Sequence, residues 1–215
     1  MATLFRFVLI TLITSSTLVA CNSLFINKSP SPSDLLESKP NPSPPPIATI
    51  NVEPEHIPDA PYLQTPPEVV LKMLEMAKVD KADVVYDLGS GDGRIVIAAA
   101  QKFGAKAIGI EIDPELIRES ERESKFAIAE TPEIRDRIKF IQQDFFKTNL
   151  RDATVITLYL LPQTNLRVRS EILPKLKTGT RIISYEYDLG DLPPNQTEKI
   201  KVGNREYRIY LWVLD

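Results

Sequence analysis

The stretch "VYDLGSGDGR", residues 85–94, constrains this chain more than any other. An apolar strand runs into Gly89, Ser90, Gly91, Asp92 and Gly93, and a helix-forming run follows. That order demands a tight strand–turn–helix, because glycine enters left-handed backbone without steric cost. The loop reads G-x-G-x-G. A dinucleotide fingerprint needs its third glycine one place later, where Arg94 stands. A Walker-type phosphate loop needs a closing Gly-Lys-Ser/Thr, which is absent. Alone, the pattern also fits a plain turn that holds nothing.

The flanking pattern sets the fold. Thr65 reads as an N-cap, Pro66 as the first helical residue and Glu68 as the partner completing a capping box. Val69, Val70, Met73, Leu74 and Ala77 then recur at helical spacing, which gives that helix one buried face. Strand "DVVYDLG" is followed by a helix over 94–103, strand "AKAIGIEI", and a helix from Pro114 to about Ala129 capped by Asp113. Strands "RIKFIQQ" and "ATVITLYL" come next, then a helix over 166–173 that Pro174 should end or kink, then strand "TRIISYEY". "EKIKV" and "REYRIYLWV", joined through Gly203 and Asn204, read as a hairpin. Strands alternating with helices mean right-handed crossovers. The expected fold is α/β: a Rossmann-like, mostly parallel, seven-stranded sheet with helices on both faces and a C-terminal antiparallel hairpin.

Three segments are expected. Residues 1–20 carry one basic residue, Arg6, before an uncharged apolar run, and read as a signal peptide or membrane anchor. Leu18, Val19, Ala20 and Cys21 resemble a lipobox, which would make Cys21 a lipid-anchored first residue of the mature chain. An uncleaved anchor helix is the alternative reading, since about 20 apolar residues span a bilayer. Residues 21–60 form a Pro/Ser-rich disordered tether, and ten of the chain's 18 prolines fall between Pro30 and Pro61. Residues 61–215 form the domain.

Inventory and charge narrow its chemistry. Cys21 and His56 are the sole cysteine and histidine, and both precede the domain. A zinc centre, a disulfide framework and a Ser/His or Cys/His catalytic pair are thereby excluded within it, and no metal site is expected. The formal charge is −3, and Lys plus Arg number 23 against 24 Asp plus Glu from Pro61 onward. That lacks a nucleic-acid footprint.

Acids decide what the glycine loop holds. Asp87 ends the strand and Asp92 sits in the loop, so a pyrophosphate would be repelled. S-adenosyl-L-methionine (SAM) has no phosphate and carries an ammonium and a sulfonium, which an acidic strand end attracts. Glu111 closes the second strand 22 residues after Gly89, where a carboxylate accepts from ribose hydroxyls. Asp144 follows the third strand, where it could accept from an adenine amino group, and Phe145 could cover the ring. Each acid alone reads equally as a solvated loop residue or a cap. Three acids after three successive parallel strands line one crevice.

"VYDLGSGDGR", "GIEIDP", "QQDFF" and "TLYLLP" together resemble the class I SAM-dependent methyltransferases. "PYLQTPPEVV" and "VITLYLLP" are similar to a narrower group, the archaeal and mitochondrial-type protein lysine N-methyltransferases and their bacterial relatives. The resemblance covers residues 61–191. It implies SAM as cofactor, with contacts from Asp87, Gly89, Ser90, Gly91, Glu111 and Asp144, and with Tyr62 and Thr65 folding over the cofactor. It further implies a protein partner with an exposed lysine.

An amine acceptor must be neutral to attack, and an apolar slot lowers its pKa. Tyr159, Leu160, Leu161 and Pro162 would form that slot where the fourth strand ends; Tyr159 and Leu160 read equally as packing. The absence of a DPPY-type run there disfavours DNA as acceptor. Tyr185, Glu186, Tyr187, Asp188 and Asp191 would form an acidic, aromatic lip suited to a cationic protein segment, though exposed loop acids more often merely solubilise. Three readings stand: a tethered protein lysine methyltransferase, a small-molecule methyltransferase, and a non-catalytic ligand-binding lipoprotein on the same scaffold. Location stays open between them, because a signal places the domain outside the inner membrane whereas SAM is supplied in the cytoplasm.

Overall fold

The computed structural model describes residues 62–215. The signal, Cys21, His56 and the tether lie outside the described residues. Helix α1 spans Pro67–Met76, β1 Val84–Leu88, α2 Arg94–Phe103, β2 Lys106–Glu111 and α3 Pro114–Glu130. They are followed by β3 Ile138–Gln142, β4 Val155–Leu158, α4 Pro162–Arg167, β5 Arg181–Tyr185, β6 Gln196–Val202 and β7 Arg205–Val213. The seven strands make one sheet of order β3-β2-β1-β4-β5-β7-β6. Strands β1 to β5 pair in parallel, and β7 inserts antiparallel between β5 and β6. This is the expected Rossmann-like architecture.

Both faces of the sheet's centre are covered, so β1, β4 and β5 read as near-continuous buried runs. On β7, Ile209 and Leu211 join Val69, Met73, Leu74, Val96 and Ala99 of α1 and α2. Tyr210 and Trp212 alternate with them and pack on the opposite face with Val168, Ile172, Ile156 and Ile182. At the N-terminal edge of the parallel strands a clamp joins four elements. Arg181 at the start of β5 pairs with the buried Asp83 and donates to the Ala77 carbonyl at 2.7 Å. Thr154, just before β4, donates to the same Asp83 at 2.7 Å.

Two helix starts differ from the sequence expectation. The N-cap of α1 is Pro66, not Thr65, and no side chain caps it. A residue before proline is held extended, so with Pro67 following, Pro66 keeps a ψ of 142° and the helix begins one residue later. The Thr65/Glu68 capping box therefore falls out of register. Asp113 does cap α3, accepting from the Glu115 N–H at 2.7 Å. Helix α4 begins at Pro162 rather than Leu166, because proline at the first helical position forfeits no hydrogen bond. It continues through a π turn, Val168–Ile172, into a 3-10 turn, Leu173–Lys175. Pro174 falls inside that 3-10 turn and has no N–H with which to extend the α pattern.

The reversal of strand order between β1 and β4 leaves a crevice at their C-terminal ends, the place where open α/β sheets bind ligands.

Candidate active site

The loop after β1 is pinned to its neighbour: the Gly89 and Ser90 N–H groups both donate to the Ile110 carbonyl, at 2.9 and 3.1 Å. Gly93, with φ +80°, opens α2. Across the crevice stands Leu160, so close that a Cβ on Gly89 would lie 3.0 Å from its Cδ2. A cavity of about 220 Å3 opens between them.

Asp87 faces this cavity, 3% exposed, at the position where β1 pairs with Thr157 of β4. The Thr157 hydroxyl donates to its Oδ1 at 2.6 Å. Burial pushes the Asp87 carboxyl up to about 7. The Thr157 hydrogen bond pulls it down, while the charges of Glu111 and Asp92 push it up further.

Glu111 is buried and already committed to backbone. Its Oε1 accepts from the Ile112 and Asp113 N–H groups at 2.8 and 3.0 Å, and its Oε2 from Gly91 at 3.0 Å. Of about four acceptor sites on a carboxylate, one on Oε2 stays open toward the cavity it lines. Asp144 turns the chain after β3, its Oδ1 accepting from Phe146 at 2.9 Å. Phe145 follows, tilted on Phe146 with ring centroids 4.6 Å apart.

Residues 62–66 strap the loop from outside. Arg94 holds Asp92 through its Nε at 2.9 Å and donates to the Thr65 carbonyl through Nη1 at 2.8 Å. Burial raises the Asp92 carboxyl, but the Arg94 and Tyr62 contacts outweigh it and hold the group below its ordinary value. Burial and Asp92 together raise the Tyr62 hydroxyl to about 12. The Tyr62 ring lies on Gly91, where a Cβ would come within 2.3 Å of it.

Of the residues singled out from sequence, Tyr62, Thr65, Asp87, Gly89, Ser90, Glu111, Asp144, Phe145, Tyr159 and Leu160 all line this cavity. Gly91 and Pro162 do not. Gly91 lies beneath Tyr62, and Pro162 is exposed on the outside of α4, whose first turn it opens. Thr157 carries no signal in the sequence, since only the strand order sets it against Asp87. Arg167 and Thr164 also line the cavity, and the later helix start expected for α4 leaves Thr164 outside that helix. Arg167 stacks its guanidinium 3.9 Å from the Phe146 ring centroid.

The lining holds Asp87, Asp92, Glu111, Asp113 and Asp144 against Arg94 and Arg167. Arg94 is already paired with Asp92, so the balance favours a cationic ligand over a phosphate. Within this fold, that acid-lined glycine crevice defines a class I SAM-dependent methyltransferase. The chain belongs to the ANTKMT methyltransferase domain family, whose model matches residues 87–196. A protein-lysine N-methyltransferase of Saccharolobus islandicus is 39% identical over 160 residues, which cover 74% of this chain and 96% of that protein. The adenine nucleotide translocase lysine N-methyltransferase of Mus musculus is 28% identical over 134 residues, 62% of this chain and 56% of that longer protein. Among solved structures, an RNA methyltransferase from Salinibacter ruber in complex with S-adenosyl-L-homocysteine is 41% identical. It superposes with a TM-score of 0.64, covering 71% of this chain and 94% of that one.

Proposed function

We propose that this domain methylates the side-chain amine of a lysine in a protein. The observation that carries the reading is the rim of Tyr159, Leu160 and Leu161 beside Asp87 at the β1/β4 crevice, apolar except for one phenol. The protein-lysine methyltransferases among its relatives support it.

When bound, SAM supplies an electrophilic methyl carbon on a cationic sulfur. In this reading Asp87 holds its ammonium, the open Glu111 oxygen accepts from ribose, and Asp144 and Phe145 frame the adenine. Tyr62 and Thr65 close the crevice, with Arg94 holding the strap. Leu160 and Leu161 strip water from the entering amine and favour its neutral form, and the displaced proton leaves to solvent. The same rim would present the amine lone pair to the methyl carbon that bound SAM would supply. Positioning supplies the rate, and neither a nucleophilic side chain nor a metal is required of the protein.

Incubation with methyl-labelled SAM and cell extract tests the acceptor. Label in protein that acid hydrolysis releases as methyl-lysine supports the reading, and Asp87→Ala should abolish it. Label confined to RNA or to small molecules would overturn it. For the N-terminal segment the proposal is a lipid tether at Cys21; acyl labelling that persists in Cys21→Ser would reject it.

A further inference from the structure

The end of β5 carries a second, unspent piece of chemistry. Glu186 follows Tyr185 with φ +68°. The Tyr187 N–H donates back to the Tyr185 carbonyl at 2.9 Å, which makes Glu186 the centre of a γ-turn. Side chains rarely sit at such a position, and the conformation is strained. The Glu186 N–H is fixed to the Arg208 carbonyl at 2.8 Å, so the turn is built into the sheet. Its Oε2 is buried and has no hydrogen-bond partner among the described residues. A strained backbone thus presents an unsatisfied carboxylate oxygen, which is unfavourable for folding on both counts.

A cluster of aromatic rings adjoins that position through its chain neighbour Tyr185. Tyr185 forms the floor, 1% exposed, with the Tyr159 ring 4.5 Å and the Tyr207 ring 5.4 Å from its own. Burial first, then neighbouring charge including that of Glu186, raises the hydroxyl pKa of Tyr159 and Tyr185. Both phenols therefore stay neutral at ordinary pH. Tyr159 belongs to this cluster and also lines the cavity beside Asp87. The Arg205 guanidinium already stands 5.7 Å over the Tyr207 ring, so this face accepts a cation. The other acids of the lip have structural work: Asp188 accepts from Gly190 at 3.0 Å, and Asp191 pairs with Arg169.

We propose that Glu186, with the rings of Tyr159 and Tyr207, is the docking subsite that selects a cationic acceptor side chain and leads it to the cavity. The inference rests on the lysine reading of that site. An ammonium brings three donors and no acceptor, the complement of an orphaned carboxylate oxygen next to a cluster of phenol rings. A neutral acceptor would leave that oxygen as unsatisfied as it is in the free protein and so would gain nothing from it.

The test uses the full-length protein with an eight-residue Lys/Ala peptide and a counterpart with norleucine at each lysine. Binding is read with S-adenosylhomocysteine present, and turnover with labelled SAM. The wild type should bind the lysine peptide about tenfold or more tighter than its counterpart. Glu186→Gln should erase that preference and raise the peptide KM about tenfold, with kcat and S-adenosylhomocysteine affinity within about threefold. Glu186→Gly should show the same loss with a Tm equal to or above the parent, because glycine relaxes the turn. A merely structural Glu186 would instead lower Tm and S-adenosylhomocysteine affinity in both variants, which would overturn the proposal. So would unchanged peptide affinity in Glu186→Gln while the wild type still prefers lysine, and that outcome would leave the lysine reading standing. No preference for lysine in the wild type, or label in RNA alone, would bring down both.

Discussion

Asp87 sits near neutrality for a reason that has measurable consequences. Its carboxyl is pushed from an ordinary 3.8 to about 7, by burial first. Between those two values the unfolded chain has lost the proton that the folded chain keeps. The ligand-free fold therefore loses stability as pH rises from about 4 to about 7, and changes little above that. Asp87→Asn should stabilise the ligand-free fold at pH 8 by on the order of 2–4 kcal/mol, seen as a higher Tm, and leave the Tm nearly unchanged at pH 4. A scanning calorimeter checks both points. An ammonium ligand prefers the ionised carboxylate, so SAM affinity should climb up to about tenfold per pH unit below 7 and level off above 8. Thr157→Val removes a hydrogen bond that lowers this pKa, and titration calorimetry should show the levelling point move to higher pH. Asp87, Glu111 and Asp144 are legible in the sequence as acids ending successive strands. Thr157 is not, because it and Asp87 are 70 residues apart and only the strand order joins them. Nor is the backbone commitment of Glu111, which depends on how the loop curls back over it.

At the scale of elements, one side chain ties the strap over residues 62–66 to the first turn of α2. Arg94 neutralises Asp92 and binds the Thr65 carbonyl. Arg94→Ala leaves Asp92 mostly buried without its partner, and should cost about 1–3 kcal/mol in urea denaturation. It should also weaken SAM binding by loosening Tyr62, whereas Arg94→Lys, which lacks the planar fork, restores only part. Every strand, and each of α1 to α3, can be read from the chain in existence and type, since buried apolar runs and helical spacing recur clearly there. The starts of α1 and α4 are displaced because prolines set them: Pro66 and Pro67 compete for one helical position, and Pro162 opens a helix whose apolar spacing begins only later.

Across the whole molecule, the order of the sheet explains which strand is central and which is edge. Strand β7 carries the buried run Ile209, Tyr210, Leu211 and Trp212, so it takes the inner place beside β5. Strand β6 exposes Thr197, Lys199 and Lys201, a charged edge that discourages pairing with another chain. The clamp of Arg181 on Asp83 holds α1, β1, β4 and β5 together at the far edge from the crevice. Arg181→Ala would leave the Asp83 carboxylate buried and unpaired, at a cost of about 2–4 kcal/mol. Its Tm should fall while the SAM affinity of the surviving folded protein stays close to wild type. A loss of affinity at unchanged Tm would contradict that division of labour.

The antiparallel course of β7 also decides how the protein is best handled. Val213 pairs with Arg181, at the start of β5, so the C-terminal end emerges on the edge opposite the crevice. Tyr62, at the other end of the domain, lies directly on the glycine loop. A fluorophore, affinity tag or surface linker attached after Asp215 should leave the cleft open to cofactor and acceptor alike. The same group joined just ahead of Tyr62 would stand at the mouth of the site and would be measured along with it.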